Sequence, residues 1–190
     1  MKKQIVSLVA AVLFSMAVTS VSAQSVQYPS FHFGIRGGLT VNSASFSGTN
    51  LSGDSKAFPY GGLAADFKIA PIPLYLETGV YYMKKGYTIE NDGNKWKVDD
   101  HYIHMPLLVS YHIYINDNMA IQPFAGFAGG YVTKSSGFEG AIRLGCGINF
   151  GRLYANLGYD LGVTKHTSEG IKYSNNTFFA TIGFNFLGSR

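Results

Sequence analysis

The chain has 190 residues, of which 14% are charged and 15% are aromatic, and it contains 23 Gly. Soluble domains carry roughly 25% charged residues, so this composition is atypical of them. The formal charge is +4, and Lys2 and Lys3 supply two of the 15 basic residues against 11 acidic ones, so the remaining chain gives little support to nucleic-acid binding. The single Cys146 excludes an intramolecular disulfide.

The N-terminal segment has the pattern of a secretory signal peptide. Lys2 and Lys3 precede an apolar run over 5–18, and Val-Ser-Ala at 21–23 precedes Gln24. We therefore predict a cleaved signal peptide over 1–23 and a single domain over 24–190; an N-terminal membrane anchor is the alternative. No other stretch has the roughly 18 consecutive apolar residues of a membrane helix, which leaves a soluble, a peripheral or a barrel protein.

Alternating apolar residues indicate strands along most of the chain. The first five are predicted over 31–42, 60–69, 74–87, 100–115 and 119–133. Long polar loops are predicted over 43–58 and 88–99, and short turns over 70–73 and 116–118.

Two of these strands carry more specific predictions. In the fifth, Gln122 and Phe124 are expected to face inward and Phe127 outward, although this phase is the least clear. In the fourth, Pro106 predicts a local bulge, since proline lacks the N–H group that a sheet interior needs.

Residues 138–161 predict a β-hairpin whose alternation keeps its phase through a turn at Gly151 and Arg152. In that register apolar residues meet apolar residues, and Arg143 lies opposite Asp160. The residues that alternate with the apolar ones in this hairpin are here called its polar file, and the apolar ones its apolar file. The polar file consists mostly of Gly, Ala and Asn, which suit a crowded interior better than a solvated surface. The apolar file is therefore predicted to face lipid, as in an outer-membrane β-barrel.

A loop over 164–176 and a last strand over 177–187 complete eight strands. Their seven connections alternate between longer and short ones, which is typical of outer-membrane barrels with long external loops and short periplasmic turns. We therefore predict an all-β fold, an eight-stranded antiparallel transmembrane barrel with up-and-down order and periplasmic termini. Aromatic belts are expected at both interfaces, with Tyr75 at the periplasmic one and Tyr60 at the outer one.

Charged residues in the inward phase form the candidate site. They are Arg36, Asp66, Lys68, Glu77, Arg143 and Asp160. An eight-stranded barrel has room only for side chains, so we predict a paired charge network that plugs the lumen, with an ion path as the alternative.

Other residue types argue against a metal or catalytic centre. Among the histidines, His104 and His112 share a face but lie far apart along one strand, so we expect structural roles, no metal site and no cofactor. The run from His166 to Glu169, HTSE, contains a nucleophile and a base, but it lies in a predicted loop between glycines. We therefore predict no enzymatic activity, and a lipid-modifying acyl hydrolase is the alternative.

Lysines are concentrated in the predicted external loops. Lys84 and Lys85, near the outer interface, are expected either to meet lipopolysaccharide phosphates or to snorkel into water. Outer-membrane lipid and lipopolysaccharide are thus expected partners.

Four segments resemble a known family. They are YIHMPLL at 102–108, the Gly-rich 126–130, LGCGI at 144–148 and GFNF at 183–186. These segments are similar to small outer-membrane β-barrels of Bacteroidota, the PorT-like group related to the OmpA-type membrane domain. The resemblance implies a non-enzymatic barrel, and a link to protein secretion as in PorT.

The chain departs from many such barrels by extending past Phe186 to Arg190, which bears on its recognition by the barrel-assembly machinery. We expect an outer-membrane protein whose loops serve envelope integrity, adhesion or binding of an envelope or extracellular protein. A secreted soluble ligand-binding barrel is a further alternative.

Overall fold

The computed structural model describes residues 29–47, 54–91, 94–133, 137–164, 166–168 and 171–188. The predicted signal peptide, 1–23, lies outside the described residues. Within them, no helix has the length and apolar character needed to cross a membrane.

The described chain consists of antiparallel strands. They are β1 (Phe31–Ser47), β2 (Asp54–Lys68), β3 (Leu74–Asn91), β4 (Asn94–Tyr111), β5 (Ile113–Asn116), β6 (Met119–Val132), β7 (Gly137–Phe150), β8 (Leu153–Gly162), β9 (His166–Ser168) and β10 (Ile171–Leu187). Each long strand pairs with the next, and β10 pairs with β1, so the sheet closes into an eight-stranded barrel. The short β5 continues β4 beside β6, and β9 pairs with β10. The predicted fold class is confirmed.

Side chains alternate between the lumen and the outer surface, as the sequence predicts. On β7, Ala141 and Arg143 are buried, whereas Ile142 and Leu144 are more than 40% exposed. The outer surface is apolar, with Ile182 71% exposed. In a barrel that crosses a membrane these exposed apolar side chains face lipid, and the polar file fills the interior.

The phase of β6 agrees with its prediction. Gln122 and Phe124 are buried in the lumen, and Phe127 is exposed on the outer surface. The hairpin register is also the one predicted, since Arg143 pairs with Asp160 and Phe150 with Leu153.

The three predicted long loops are largely strand. Strand β1 continues to Ser47 and β2 begins at Asp54, and the β3–β4 ladder extends to the pair Asn91 and Asn94. Strand β10 begins at Ile171. The prediction relied on polar composition, which indicates where a strand leaves the lipid and does not indicate where backbone pairing ends. The hairpins therefore project beyond the apolar band.

The predicted bulge at Pro106 is wrong. In the described part of β4 the register stays constant on both sides, with Pro106 opposite Ala128 of β6. On the β3 side the ladder skips two residue pairs between Thr78↔Leu107 and Tyr81↔His104 without a shift. The Thr78 hydroxyl donates to the carbonyl of Pro106 at 3.0 Å, which links β3 to β4 where the ladder is interrupted.

A register shift occurs instead in β2, between Ser55 and Tyr60, a segment that contains Pro59.

Tyr60 is 8% exposed and Tyr75 is fully buried, so these two rings lie in the lumen and the prediction that they belong to the aromatic belts is wrong. Both rings carry a hydroxyl that a neighbour satisfies: Tyr60 bonds Thr181, and Tyr75 donates to the Pro29 carbonyl. Alternation at strand ends therefore does not by itself separate lipid-facing from lumen-facing tyrosines.

The β7–β8 hairpin turns at Gly151 and Arg152. Gly151 has a φ of 58°, in the left-handed region that glycine adopts without strain. Its N–H group donates to the Asn118 carbonyl at 2.6 Å, which ties this turn to the neighbouring β5–β6 turn. The rim with the short connections is thus a continuous, hydrogen-bonded edge.

Candidate functional site

The strongest polar contact in the lumen joins Arg143 to Asp160. The guanidinium donates from Nε to Oδ1 at 2.6 Å and from Nη2 to Oδ2 at 2.7 Å. Both residues are at most 5% exposed. Parallel hydrogen bonds of this kind satisfy the planar guanidinium and the carboxylate together, which a buried ion pair requires.

Arg36, on β1, contacts a second set of polar side chains. Its Nη1 donates to Asn185 Oδ1 at 2.7 Å, and its Nη2 donates to Asp66 Oδ2 at 3.4 Å. The guanidinium lies 3.8 Å from the centre of the Tyr154 ring. Closure of the sheet explains this arrangement, because Asn185 on β10 and Asp66 on β2 lie on the two strands that flank β1.

Glu77 and Lys68 complete the predicted set. Glu77 lies directly opposite Asp66 in the β2–β3 ladder, and both carboxyl groups point into the lumen. Within the described chain, Glu77 Oε1 has no hydrogen-bond partner. Lys68, near the end of β2, is only half-buried. Five of the six predicted lumen residues are therefore buried, and Lys68 lies closer to the rim.

Sequence analysis missed a further buried pair, Lys85 with Glu139. Lys85 Nζ donates to Glu139 Oε2 at 3.0 Å and lies 4.9 Å from the centre of the Tyr102 ring. Lys85 is 7% exposed, so its prediction as an outer-surface lysine is wrong. The signal was present, since Lys85 shares the inward phase of Glu77 and Tyr81, and Glu139 shares that of Arg143.

Aromatic rings fill the space that the small residues of the polar file leave. Phe124 lies opposite Gly145 and Phe179 lies opposite Gly158, and these two glycines pair with each other. A Cβ atom at either glycine would overlap the adjacent ring. The centres of the two rings are 6.4 Å apart, and the Arg143 guanidinium lies 4.1 Å from the centre of Phe179.

The cavity that the described residues enclose in the centre of the lumen is very small. A cavity of about 20 Å³ is lined by the charged groups and by aromatic and hydroxyl side chains. The lining residues include Arg36, Asp66, Glu77, Arg143, Tyr154 and Phe179. A volume of this size holds about one water molecule.

Histidine and tyrosine side chains pack at the rim that carries the short turns. The His112 ring stacks on Tyr75 with centroids 3.8 Å apart, and its two ring nitrogens lie 3.2 Å from Ser110 Oγ and 3.3 Å from Gln122 Nε2. The His32 ring is 5.9 Å from that of His112. Among the described residues, no group of three or more His, Cys, Asp or Glu could hold a metal ion.

A known protein family matches more than half of the chain. Residues 22–139 match the family described as outer membrane protein beta-barrel domain. The chain belongs to this family. Among curated protein sequences, none matches the chain significantly.

Solved outer-membrane barrels have a similar fold. The outer membrane protein OprG of Pseudomonas aeruginosa is 12% identical, with 84% of this chain and 97% of OprG covered and a TM-score of 0.55. Neisserial surface protein A is 15% identical over 81% of this chain and 97% of its own, with a TM-score of 0.42. Ail of Yersinia pestis is 12% identical over 82% and 98%, with a TM-score of 0.38. At 12% identity the likeness to OprG concerns the fold alone.

Family membership and the closed barrel establish an integral outer-membrane protein. The HTSE run is only partly described: His166–Ser168 forms β9, whose backbone pairs with residues 171–173 of β10, and Glu169 lies outside the described residues. Residues 166–168 are thus part of a paired extension of β10.

Proposed function

We propose that this outer-membrane barrel is a non-enzymatic, non-conducting membrane element that presents its long hairpins for binding, adhesion or stabilisation of the envelope. The observation that carries the proposal is the filled lumen. Paired charges and two aromatic rings leave a central cavity of about 20 Å³, which is too small for a path of hydrated ions. Interactions with other molecules therefore belong to the outer surface and to the hairpins.

The orientation that we propose places both termini in the periplasm and residues 1–23 in a cleaved signal peptide. The connections at 69–73, 117–118 and 151–152 are short and lie at one rim, as periplasmic turns do in this class of barrel. The extended hairpins β1–β2 and β3–β4 lie at the opposite rim. This arrangement exposes the extended hairpins outside the cell.

The proposed partners follow from that placement. They are outer-membrane lipid and lipopolysaccharide around the barrel, the barrel-assembly machinery during insertion, and an envelope or extracellular protein at the hairpins. A role close to secretion, as the PorT-like resemblance implies, is the more specific form of the last partner. The exposed apolar band supports the lipid partners directly.

Conductance of the purified protein in planar bilayers tests the plugged lumen. We expect no discrete channel events for the native chain, because side chains fill the interior. Stable unitary conductance would contradict the proposal.

Protease treatment of intact cells tests the orientation. We expect cleavage within 48–53, 92–93 and 169–170, which connect β1 to β2, β3 to β4 and β9 to β10, with a heat-modifiable fragment left in the outer membrane. Cleavage only after the outer membrane is opened would reverse the topology.

Lipid A mass spectrometry separates the proposal from the enzymatic alternative. We expect unchanged lipid A in cells that overproduce the protein. A deacylated species that disappears in Ser168→Ala would identify an acyl hydrolase instead.

A further inference from the structure

The buried ionisable side chains of the lumen do not balance in charge. Among the residues whose side chains the structure describes, three buried cations face four buried carboxyl groups. They are Arg36, Lys85 and Arg143 against Asp66, Glu77, Glu139 and Asp160. Each cation forms an ion pair with one carboxyl group: Arg143 with Asp160, Lys85 with Glu139, and Arg36 with Asp66. Glu77 is the carboxyl group that these pairs leave over.

Glu77 lies in an environment that disfavours a negative charge. It is directly opposite Asp66 in the β2–β3 ladder, where like charges repel each other. Its side chain is 7% exposed and lines the central cavity, and its Oε1 atom has no hydrogen-bond partner within the described chain. The Ser110 hydroxyl hydrogen-bonds the carboxyl group but supplies no counter-charge. An unpaired carboxylate in such a site is costly, and buried groups of this kind take up a proton instead.

The two guanidinium groups that line the same cavity are paired with other carboxylates. Arg143 shares hydrogen bonds of 2.6 and 2.7 Å with Asp160, and Arg36 donates to Asp66 at 3.4 Å. Both guanidinium groups attract the Glu77 carboxyl group through the lumen. Among the described residues, however, neither of them forms an ion pair with it.

The three buried histidines of the described chain lack the hydrogen-bond acceptors that a cation needs. An imidazolium donates from both ring nitrogens, so each nitrogen requires an acceptor. Nδ1 of His32 has no hydrogen-bond partner and lies 3.8 Å from Asp66 Oδ2, and neither ring nitrogen of His104 has a partner. Nδ1 of His112 lies 3.3 Å from the amide nitrogen of Gln122, which is a donor, so this ring accepts a hydrogen bond there and is neutral.

Lys68 and several tyrosines are the other titratable groups that face Glu77. Lys68 is its diagonal neighbour in the β2–β3 ladder, but this side chain is half-buried near the rim, where a lysine extends its ammonium group toward water. No ion pair joins the two residues in the described structure. The tyrosines are phenols that stay neutral below about pH 10. They are Tyr60, Tyr75, Tyr81 and Tyr154.

We propose that the Asp66–Glu77 pair is a proton-binding site in which one proton, held on Glu77, makes the lumen electrically neutral. With this proton bound, the remaining anions Asp66, Glu139 and Asp160 match the three buried cations in number. The proton also replaces repulsion between the facing carboxyl groups by a donor and an acceptor, as in other carboxyl pairs that share one proton. The site goes beyond the proposed function, because a non-conducting barrel does not require a bound proton.

Infrared spectroscopy of the folded protein in lipid vesicles tests the site directly, because a protonated carboxyl group has a C=O stretch that carboxylates lack. Spectra are recorded at about pH 7, where accessible Asp and Glu side chains are ionised. We expect the difference between wild type and Glu77→Gln to contain one protonated carboxyl band. Glu139→Gln is the matched control, since it removes a buried carboxylate that is paired with Lys85, and its difference spectrum should contain no such band. Absence of the band from the first difference would overturn the proposal.

The pH dependence of urea unfolding is an independent measurement. An ordinary Glu side chain is ionised above about pH 4.3, so the unfolded chain releases the proton that the folded barrel retains. Stability therefore falls as pH rises wherever the folded state binds this extra proton. Between about pH 5 and 7, the ratio of the unfolding constants of wild type and Glu77→Gln should rise roughly tenfold per pH unit, and Glu139→Gln should keep the wild-type slope. A ratio that does not change with pH would overturn the proposal.

Asp66→Asn and Lys68→Met test which neighbours determine the protonation of Glu77. Asp66→Asn removes the facing carboxylate and leaves the Arg36 guanidinium available to Glu77, so we expect the protonated carboxyl band to disappear. A band that persists in this variant would contradict the pair as the binding site. Lys68→Met should retain the band. A wild-type spectrum without the band, together with its appearance in Lys68→Met, would make Lys68 the counter-ion of Glu77 and overturn the proposal.

Discussion

Two buried ion pairs of the lumen differ in how their partners reach each other. Arg143 and Asp160 lie opposite each other on the adjacent strands β7 and β8, and they share two hydrogen bonds of 2.6 and 2.7 Å. Lys85 and Glu139 come from β3 and β7, which β4 and β6 separate in the sheet, and they share one bond of 3.0 Å. The first pair is local to a hairpin, whereas the second spans the lumen and requires a closed barrel.

This difference assigns the two pairs different roles in stability. The hairpin pair has complementary geometry and almost no solvent, so removing one partner leaves a costly buried charge. In the Lys85–Glu139 pair the charge of the lysine is a compact ammonium group at the end of a flexible side chain. This pair also lies nearer the rim with the long hairpins. We therefore expect the Arg143–Asp160 pair to contribute more to stability. The effect of breaking the Lys85–Glu139 pair should indicate how much contacts across the lumen stabilise the closed barrel.

Arg143→Met should have the largest effect on stability. It leaves the Asp160 carboxylate buried without its bidentate partner, and we expect a loss of about 3–5 kcal/mol in the free energy of unfolding. Urea unfolding in lipid vesicles measures this loss. Leu144→Met, the adjacent lipid-facing position, is the control and should cost less than about 1.5 kcal/mol. A loss for Arg143→Met no larger than that of the control would contradict the role of this pair.

Lys85→Met should cost less, roughly 1.5–3 kcal/mol, since one charge-assisted hydrogen bond is lost. Adding Glu139→Gln should recover part of the loss, because the second change removes the unpaired charge. Lys84→Met is the matched control, with an expected change within about 0.5 kcal/mol, since that side chain is on the outer surface. Equal losses at 84 and 85 would mean that the pair across the lumen does not stabilise the closed barrel.

Gly145→Ala tests the aromatic contacts across the lumen. Its Cβ atom would overlap both the Phe124 ring and the Leu157 carbonyl oxygen, so we expect a cost of about 1–3 kcal/mol from overpacking, of which the ring accounts for a part. Phe124→Leu in the same chain should reduce this cost. The control is Gly140→Ala on the outer surface, where a Cβ atom would lie 3.5 Å from Thr164 Oγ1, in ordinary contact. A cost at 140 equal to that at 145 would point to backbone effects instead of lumen packing.

Pro106→Ala should have the smallest effect, a loss of about 1 kcal/mol, because the unfolded chain gains freedom and a buried side chain that lines the lumen becomes smaller. The residue lies in β4, within the wall that separates β3 from β7, and the register there is already regular. The added N–H group is expected to leave that register unchanged. Urea unfolding measures the change, and a loss above about 2 kcal/mol would show that the break in the ladder is itself required.

Much of the architecture follows from short-range patterns in the sequence. The period of two assigns the faces of β1 and β6, and the turn at Gly151 sets the register that joins Arg143 to Asp160. Where the same logic was applied to polar segments, it predicted a loop over 88–99, of which the structure describes 88–91 and 94–99 as paired strands. Backbone pairing is indifferent to side-chain polarity, so composition locates the membrane boundary and not the end of a hairpin.

In the candidate site, too, the sequence predicts which residues face the lumen but not which of them contact each other across it. Arg36, Asp66, Glu77, Arg143 and Asp160 are recognisable as lumen residues because their phase is local information. The pairing of Lys85 with Glu139, and the orientation of Tyr60 toward Thr181 across β1, are not local. The sequence gives each residue its inward phase but not the angular position of its strand around the barrel.

The sequence by itself determined an eight-stranded barrel with an apolar exterior, a polar interior and an Arg143–Asp160 pair, since alternation and register act between neighbouring residues and adjacent strands. Only the tertiary structure decided which side chains meet across the lumen, how Phe124 and Phe179 fill the space above Gly145 and Gly158, and how little of the interior remains open. These contacts depend on the curvature of the sheet, which brings side chains of unpaired strands together across the lumen, and the contact of Tyr60 with Thr181 depends in addition on the pairing of β1 with β10.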